Sequence, residues 1–352
     1  MIACFRPKKD RKTVEETSLM INGRMLLESS VAFNNGRGNP IRSFSFQELN
    51  SATNNFDPSR IFWDDYGLYK LYNGFLHDRP IILKKLEGNR KSVKYSIKDI
   101  VFASQFSSHK NVLKLLGCCL ETEIPLLVFE SAKNGTLHDH IYNPHAPNFR
   151  PLSWKSRLKI ALGVANAIAY LHAAFPKPII HRDIKPSNIL LDEDYVPKLV
   201  DFTLSESIPE GHFHVQHGLC IENVPTHILG FLAPEHFLKS FINEKVDIYS
   251  FGVVLLSLLT GKRVQNPFPS APPGNYSLVQ GVKKYMETQK FNEIVVDPAV
   301  LEEGPWPGKE QQLQNFAMLA LQCTCDLEDN RPEIIDVAKQ LRQMYKSAIS
   351  NC

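Results

Sequence analysis

The run His181-Arg182-Asp183-Ile184-Lys185-Pro186-Ser187-Asn188, followed downstream by Asp201-Phe202-Thr203, decides how the rest of this 352-residue chain is read. A carboxylate, a lysine two residues on and an amide three further on make a loop suited to moving a phosphoryl group. In that chemistry one Asp accepts the proton of the attacking hydroxyl, while the Asn and a second Asp hold Mg2+ under the phosphates. Asp183, Lys185 and Asn188 are therefore the candidate catalytic residues, and Asn188 with Asp201 the candidate metal ligands. One position departs: Thr203 stands where the second motif ordinarily carries glycine. A β-branched residue at positive φ is a conformational outlier, so Thr203 is expected to hold the segment after it in one state.

Working outward, further motifs occur in a fixed order. Pro80-Ile81-Ile82-Leu83-Lys84 reads as a strand ending on a lysine, Asn111-Val112-Leu113-Lys114-Leu115-Leu116-Gly117-Cys118-Cys119 follows, and Leu126 to Glu130 reads as a further strand. Ala233-Pro234-Glu235, Asp247-Ile248-Tyr249-Ser250-Phe251-Gly252 and Arg331-Pro332 follow. Upstream, FSFQELNSATNNF over Phe44 to Phe56 reads as a helical lead-in, with Ser45 and Glu48 at capping-box spacing.

From Ser43 to Tyr345 this series resembles the plant receptor-like cytoplasmic kinases. The resemblance implies an α+β, bilobal protein-kinase-like fold, with a small β-rich N-lobe and a larger α-helical C-lobe. The implied divisions are a basic tail and short apolar segment over 1–42, the N-lobe with its lead-in helix over 43–130, the C-lobe over 131–346 and a short tail over 347–352. It further implies Lys84, Asp99, Glu130, Ala132 and Asp201 as nucleotide-binding residues, ATP with Mg2+ as the cofactor pair, and a pairing of Arg331 with Glu235.

Composition agrees. The length suits two lobes, and 43% hydrophobic residues suffices for their cores. Forty Lys+Arg against 37 Asp+Glu leaves a net charge of +3, which argues against a nucleic-acid-binding body. Seven scattered cysteines show neither a zinc pattern nor a disulfide framework, which favours a reducing, cytoplasmic setting. The apolar run Val253 to Leu259 is too short to span a bilayer. Near the amino end, Cys4 lies beside Arg6, Lys8, Lys9, Arg11 and Lys12; an acyl chain on Cys4 plus that basic patch would supply two anchoring signals at the inner face of the plasma membrane. Asn22-Gly23 reads as a turn, and the helical pattern after it gathers Met25, Leu26, Leu27, Val31 and Phe33 on one side. Such a strip either folds back on the small lobe or binds a partner, and Leu26, Leu27 and Val31 are its candidate partner-binding residues.

The phosphate-binding end of the small lobe is degenerate. Aligning Leu71-Tyr72-Asn73-Gly74 with the family's V-Y-K-G sets Asp64, Tyr66 and Tyr69 on the three glycines of its G-x-G-x-x-G loop. Glycine there lets backbone N–H groups approach phosphates closely. Two tyrosines fill that space, and Asp64 adds a like charge that, ~4 Å from a phosphate at an effective dielectric of ~20, costs on the order of 4 kcal/mol. Gly67 falls out of register and reads as a turn residue. Asp99 is one methylene shorter than the family's glutamate. Its pair with Lys84 must lengthen, to an exposed contact worth ~0–1 kcal/mol, or the helix must move inward; the alternative is that Asp99 is solvated.

Past Asp201, Pro225 to Phe231 replaces the family's G-T-x-G-Y substrate platform, with His227 and Ile228 at altered positions. Ser205, Ser207 and Thr226 are candidate modification sites. The N-terminal run from Leu26 to Ser45 and the residues Leu204, Ser207, Ile208, Pro209, Glu210 and Gly211 narrow the resemblance to the ZRK group, the kinases related to the hopZ-ETI-deficient pseudokinase. That resemblance implies a pseudokinase adaptor in plant innate immunity. Its implied partners are a coiled-coil NLR immune receptor, bacterial effectors and other receptor-like cytoplasmic kinases. The alternatives are a weakly active Ser/Thr kinase and a nucleotide-binding switch without turnover.

Overall fold

The computed structural model describes residues 11–34, 40–65, 67–144, 149–216, 229–239, 241–265, 267, 277–286, 288 and 290–350. The expectations placed on Cys4, Tyr66, Thr226, His227 and Ile228 lie outside the described residues. The chain divides into two compact units, one made of residues up to Ser108 with Leu113–Ser131, the other of His109–Val112 with Ala132 onward.

The first unit is built on a six-stranded sheet. Its strands are β1 (Arg42–Ser43), β2 (Ile61–Asp64), β3 (Tyr69–Leu76), β4 (Arg79–Leu86), β5 (Leu115–Cys119) and β6 (Leu126–Glu130), in the spatial order β1-β5-β6-β4-β3-β2. Only β1 runs parallel to its neighbour. That pairing needs Gly117 on β5, because a Cβ there would overlap the Arg42 carbonyl. Strand alternation sends Ile81 and Leu83 to one face, where they join Phe44, Leu49, Ala52, Tyr72 and Val128 in a buried cluster. Lys84, the next residue on, is turned to the opposite face.

Part of that cluster comes from α2 (Phe46–Ala52). Ser45 caps this helix by accepting the Glu48 N–H (3.2 Å), and Glu48 in turn accepts the Ser45 N–H (2.8 Å), as the capping-box spacing predicts. On the other side lie α1 (Arg11–Asn34) and α3 (Arg90–Phe106).

At α1 one expectation fails and one open choice is resolved. Asn22-Gly23 is not a turn: the helix continues through it, and the buried Asn22 amide donates to the carbonyls of Leu120 (3.0 Å) and Thr122 (2.9 Å). These tertiary bonds outweigh the local turn preference of Asn-Gly. Of the two readings of the apolar strip, the segment folds back on the small lobe. Met25, Leu26 and Phe33 pack on Val93, Ile97 and Val101 of α3, and Phe33 meets Phe102 at 4.6 Å between ring centroids. Leu26 is thus a packing residue rather than part of a free partner surface, whereas Leu27 and Val31 are 65% and 49% exposed. The apolar strip is shared between two sides of the helix.

The second unit is mainly helical. Trp154–Ala173 starts on Ser153, whose side chain accepts from the Ser156 N–H, and Lys245–Thr260 is buried over most of its length. Arg331 donates to both carboxylate oxygens of Glu235, at 2.8 Å on one side, inside a buried site, so the anticipated pairing forms. Two short antiparallel ribbons, Ile189–Leu191 with Pro197–Leu199 and Ile179–Ile180 with Glu206–Ser207, carry the loop segments described below. Among the described residues, no helix is long and apolar enough to cross a membrane.

Candidate active site

In the small lobe the site is centred on Lys84. Its ammonium lies 2.7 Å from Asp99 Oδ2, and both side chains are almost wholly excluded from solvent. The shorter acid is therefore met by inward placement of α3, not by a longer or solvated pair. Desolvation strengthens such a contact and makes either partner costly to leave alone. Tyr69 completes the enclosure. Leu71 pairs directly with Lys84 in the β3–β4 ladder, so Tyr69 lies on the same face, diagonal to the lysine. Its buried ring approaches to 4.3 Å between ammonium and centroid, a cation–π contact in a dry setting.

The hairpin that leads into Tyr69 has lost its cradle. Asp65 accepts the Leu68 N–H (3.0 Å) and donates its own to Tyr69 (2.9 Å), closing a tight turn with Gly67 at φ +82°. Gly67 is thus a turn residue, as its register suggested. Asp64, exposed at the end of β2, accepts the Gly67 N–H (3.2 Å) and lies 3.8 Å from Lys70, which also pairs with Glu87 at 3.1 Å. Burial adds little there, and the Glu87 hydrogen bond raises the Lys70 ammonium above its ordinary value. Glu130 ends β6, bonded through its backbone N–H to Lys114.

The large-lobe half keeps its order. Asn188 donates from Nδ2 to Asp183 Oδ2 (2.7 Å) and to the Asp183 carbonyl (2.9 Å), and Lys185 Nζ lies 2.9 Å from the same carboxylate. His181 is fully buried, contacts the Val200 carbonyl through Nε2 (3.1 Å) and meets the Phe202 ring at 5.1 Å. Asp247 anchors the loop from beneath, a role its place in a buried-helix motif did not reveal. It accepts the N–H groups of His181 and Arg182, both at 2.8 Å, and pairs with His172 Nε2 at 2.9 Å. Burial pushes the Asp247 carboxyl up, but the His172 hydrogen bond, the charges of His172 and His181 and the Arg182 N–H outweigh it and hold the group below its ordinary value. Ala132 is buried at the start of this unit.

Thr203 behaves differently from expectation. The left-handed residue is Asp201, at φ +68°, and Thr203 is not among the positive-φ residues. The strain expected at Thr203 is absent because the turn is made two residues earlier. Instead its hydroxyl donates to Asp201 Oδ1 at 2.6 Å and its N–H reaches the same oxygen at 3.3 Å. A hydroxyl donor absent from glycine therefore engages the candidate metal-ligating oxygen. Ser205 is a second correction. It is fully buried, with its hydroxyl on the His181 carbonyl (3.3 Å), and offers no accessible modification site. Ser207 is half-buried in its ribbon.

The pair between a sheet lysine and an α3 carboxylate in one unit, and the acid–lysine–asparagine loop in the helical unit, define a protein kinase fold. Residues 75–343 match the protein kinase domain. The chain is 38% identical to the serine/threonine-protein kinase ZRK1 of Arabidopsis thaliana, across 93% of this chain and 92% of that protein. It is also 38% identical to the non-functional pseudokinase ZED1 of the same plant, across 92% and 95%. Similarity to its wall-associated receptor kinase 2 is 36%, across 97% of this chain but 45% of the receptor. The chain belongs to the protein kinase family and, within it, to the ZRK group.

Kinase domains in general take ATP with Mg2+. Here the two halves differ in fit. Asp201 and Asn188 retain oxygen donors suited to Mg2+. The Lys84–Asp99 pair is one that a working kinase keeps, but the rest of the small lobe does not fit a triphosphate: Tyr69 covers the lysine, and the hairpin lacks the glycines of a phosphate cradle.

Proposed function

We propose that this protein is a pseudokinase adaptor in plant innate immunity. The observation that carries the reading is the buried Tyr69 ring, 4.3 Å from the Lys84 ammonium, at a position where a kinase has glycine and leaves the lysine open to phosphate. Phosphoryl transfer rests on positioning and charge stabilisation, so loss of the cradle removes most of the rate even beside intact acids. The likeness to ZED1 and ZRK2, both named non-functional pseudokinases, supports the same reading. The group resemblance supplies the partners: a coiled-coil NLR receptor, bacterial effectors and other receptor-like cytoplasmic kinases. The exposed Leu27 and Val31 on α1 are the proposed receptor contact. Residence at the inner face of the plasma membrane rests on acylation of Cys4, and a Cys4→Ser variant should then leave the membrane fraction.

The test is a thermal-shift titration with ATP, with and without Mg2+, beside co-purification with an NLR partner. The adaptor reading expects no nucleotide-dependent shift. It also expects co-purification that is lost in Leu27→Glu and Val31→Glu at unchanged melting temperature. A shift without transfer would instead establish a nucleotide-locked switch. One observation favours a slow Ser/Thr kinase: the Asp183, Lys185 and Asn188 loop is fully bonded. Radiolabelled transfer abolished by both Lys84→Met and Asp183→Asn would overturn the adaptor-only view.

A further inference from the structure

Between α1 and α3 runs a groove of about 630 Å³ whose floor includes Met25 and Ile97. Lys91, Lys94 and Lys98 line it at i, i+3 and i+7 spacing, with Tyr95 among them and Glu28 on the α1 side. Lys91 and Lys94 are exposed, and Tyr95 is 47% exposed.

Helix stability does not account for this charge. The first turn of α3 has no acid, and cations near a helix N-terminus oppose the macrodipole. Like charges at i, i+3 and i, i+4 also repel. Nor is the groove a gap beside a loose tail, since Asn22 and the Met25, Leu26 and Phe33 packing fix α1 in place. A preformed groove lowers the ordering cost of binding. Cations around an aromatic and an apolar floor suit a peptide that brings both carboxylates and an apolar side chain. A lipid surface cannot enter a groove between two helices, and a chain of phosphates would leave the apolar surface of Met25 and Tyr95 uncovered.

We propose that the α1–α3 groove docks an acidic, apolar-bearing segment of a partner protein. The proposal rests on the adaptor reading, in which surfaces of the small lobe serve protein partners; it adds a second site, chemically distinct from Leu27 and Val31.

The test uses the full chain and a fluorescein-labelled peptide of alternating Asp and Leu, read by fluorescence anisotropy. A peptide with Asn in place of Asp, phosphatidylserine vesicles and a single-stranded RNA serve as comparisons. Saturable binding of the acidic peptide is expected, weaker at raised salt and at least about tenfold weaker in Lys91→Glu/Lys94→Glu. If the double reversal lowers the melting temperature, Lys94→Gln alone should still weaken binding. The proposal is overturned if the acidic peptide does not bind, if the lysine variants bind it equally, or if the Asn peptide binds as well. It is also overturned if these variants abolish vesicle or RNA binding instead. Because NLR co-purification is read through Leu27 and Val31, either result stands whatever the other shows.

Discussion

Tyr69 and Lys84, diagonal neighbours across β3 and β4, form a cation–π contact of 4.3 Å beneath the hairpin that a kinase would use to hold phosphate. Both are buried, and the contact is about 2 kcal/mol or more where water is excluded. A phosphate seeking the lysine would have to displace the ring. Tyr69→Gly should therefore open the lysine and restore a glycine at one cradle position. The expected gain is a nucleotide-dependent thermal shift absent from the parent, whereas Tyr69→Phe, which keeps the ring, should gain nothing. Equal responses from the two variants would show that the ring is not the obstacle.

Lys84 and Asp99 should also be unequal to ordinary surface charges in their effect on folding. Removing one member of a buried ion pair takes charge compensation from the other, at a cost of up to about 3–5 kcal/mol. Asp99→Ala and Lys84→Met should each lower the urea midpoint, Asp99→Ala more, because methionine replaces much of the lysine stem while alanine takes a carboxylate from a buried ammonium and leaves a smaller side chain in its place. A double variant should lose less than the two single losses added together. Strict additivity would mean the pair is not coupled.

Much of this arrangement was legible in the order of motifs and the rest was not, for physical reasons. The Ser45–Glu48 cap depends on neighbours three residues apart, and the Arg331–Glu235 pair sits in fixed motifs, so both could be read from the chain. Asn22 could not. Its fate is set by carbonyls of Leu120 and Thr122, about a hundred residues away. Asp99 posed a choice that only the placement of α3 resolves, and the helical pattern of α1 did not show that Leu26 and Leu27 part company. At Thr203 attention to φ was misplaced by two residues, and the informative property was the hydroxyl.

Asp247 gives the protein an acid-sensitive anchor. Its carboxyl is held below the ordinary value of 3.8 in the folded state, so its contribution is complete above that pH and is lost as pH falls through the lower folded value. Asp247→Asn removes the charge beneath His181 and Arg182, at about 1.5–3 kcal/mol near neutrality for hydrogen bonds to a charged group. The difference from the parent should narrow as pH falls below 3.8, in urea unfolding measured across an acid series. A difference independent of pH would place the effect in packing rather than in charge.

Thr203 offers the sharpest separation between a relic and a working metal site. Its hydroxyl donates to Asp201 Oδ1 at 2.6 Å, a hydrogen bond that a cation on that oxygen would have to share or displace. Thr203→Val keeps the shape of the side chain and removes that donor, at a cost of about 1 kcal/mol without metal. Mg2+ should then raise the melting temperature more in the variant than in the parent, because the cation no longer competes with the hydroxyl for that oxygen. Thr203→Ser, which retains a hydroxyl, should track the parent. The comparison is made by thermal denaturation with and without Mg2+, with Asp201→Asn to abolish any response that depends on this carboxylate. An equal Mg2+ response from the Val variant and the parent would show that the hydroxyl does not compete with the metal.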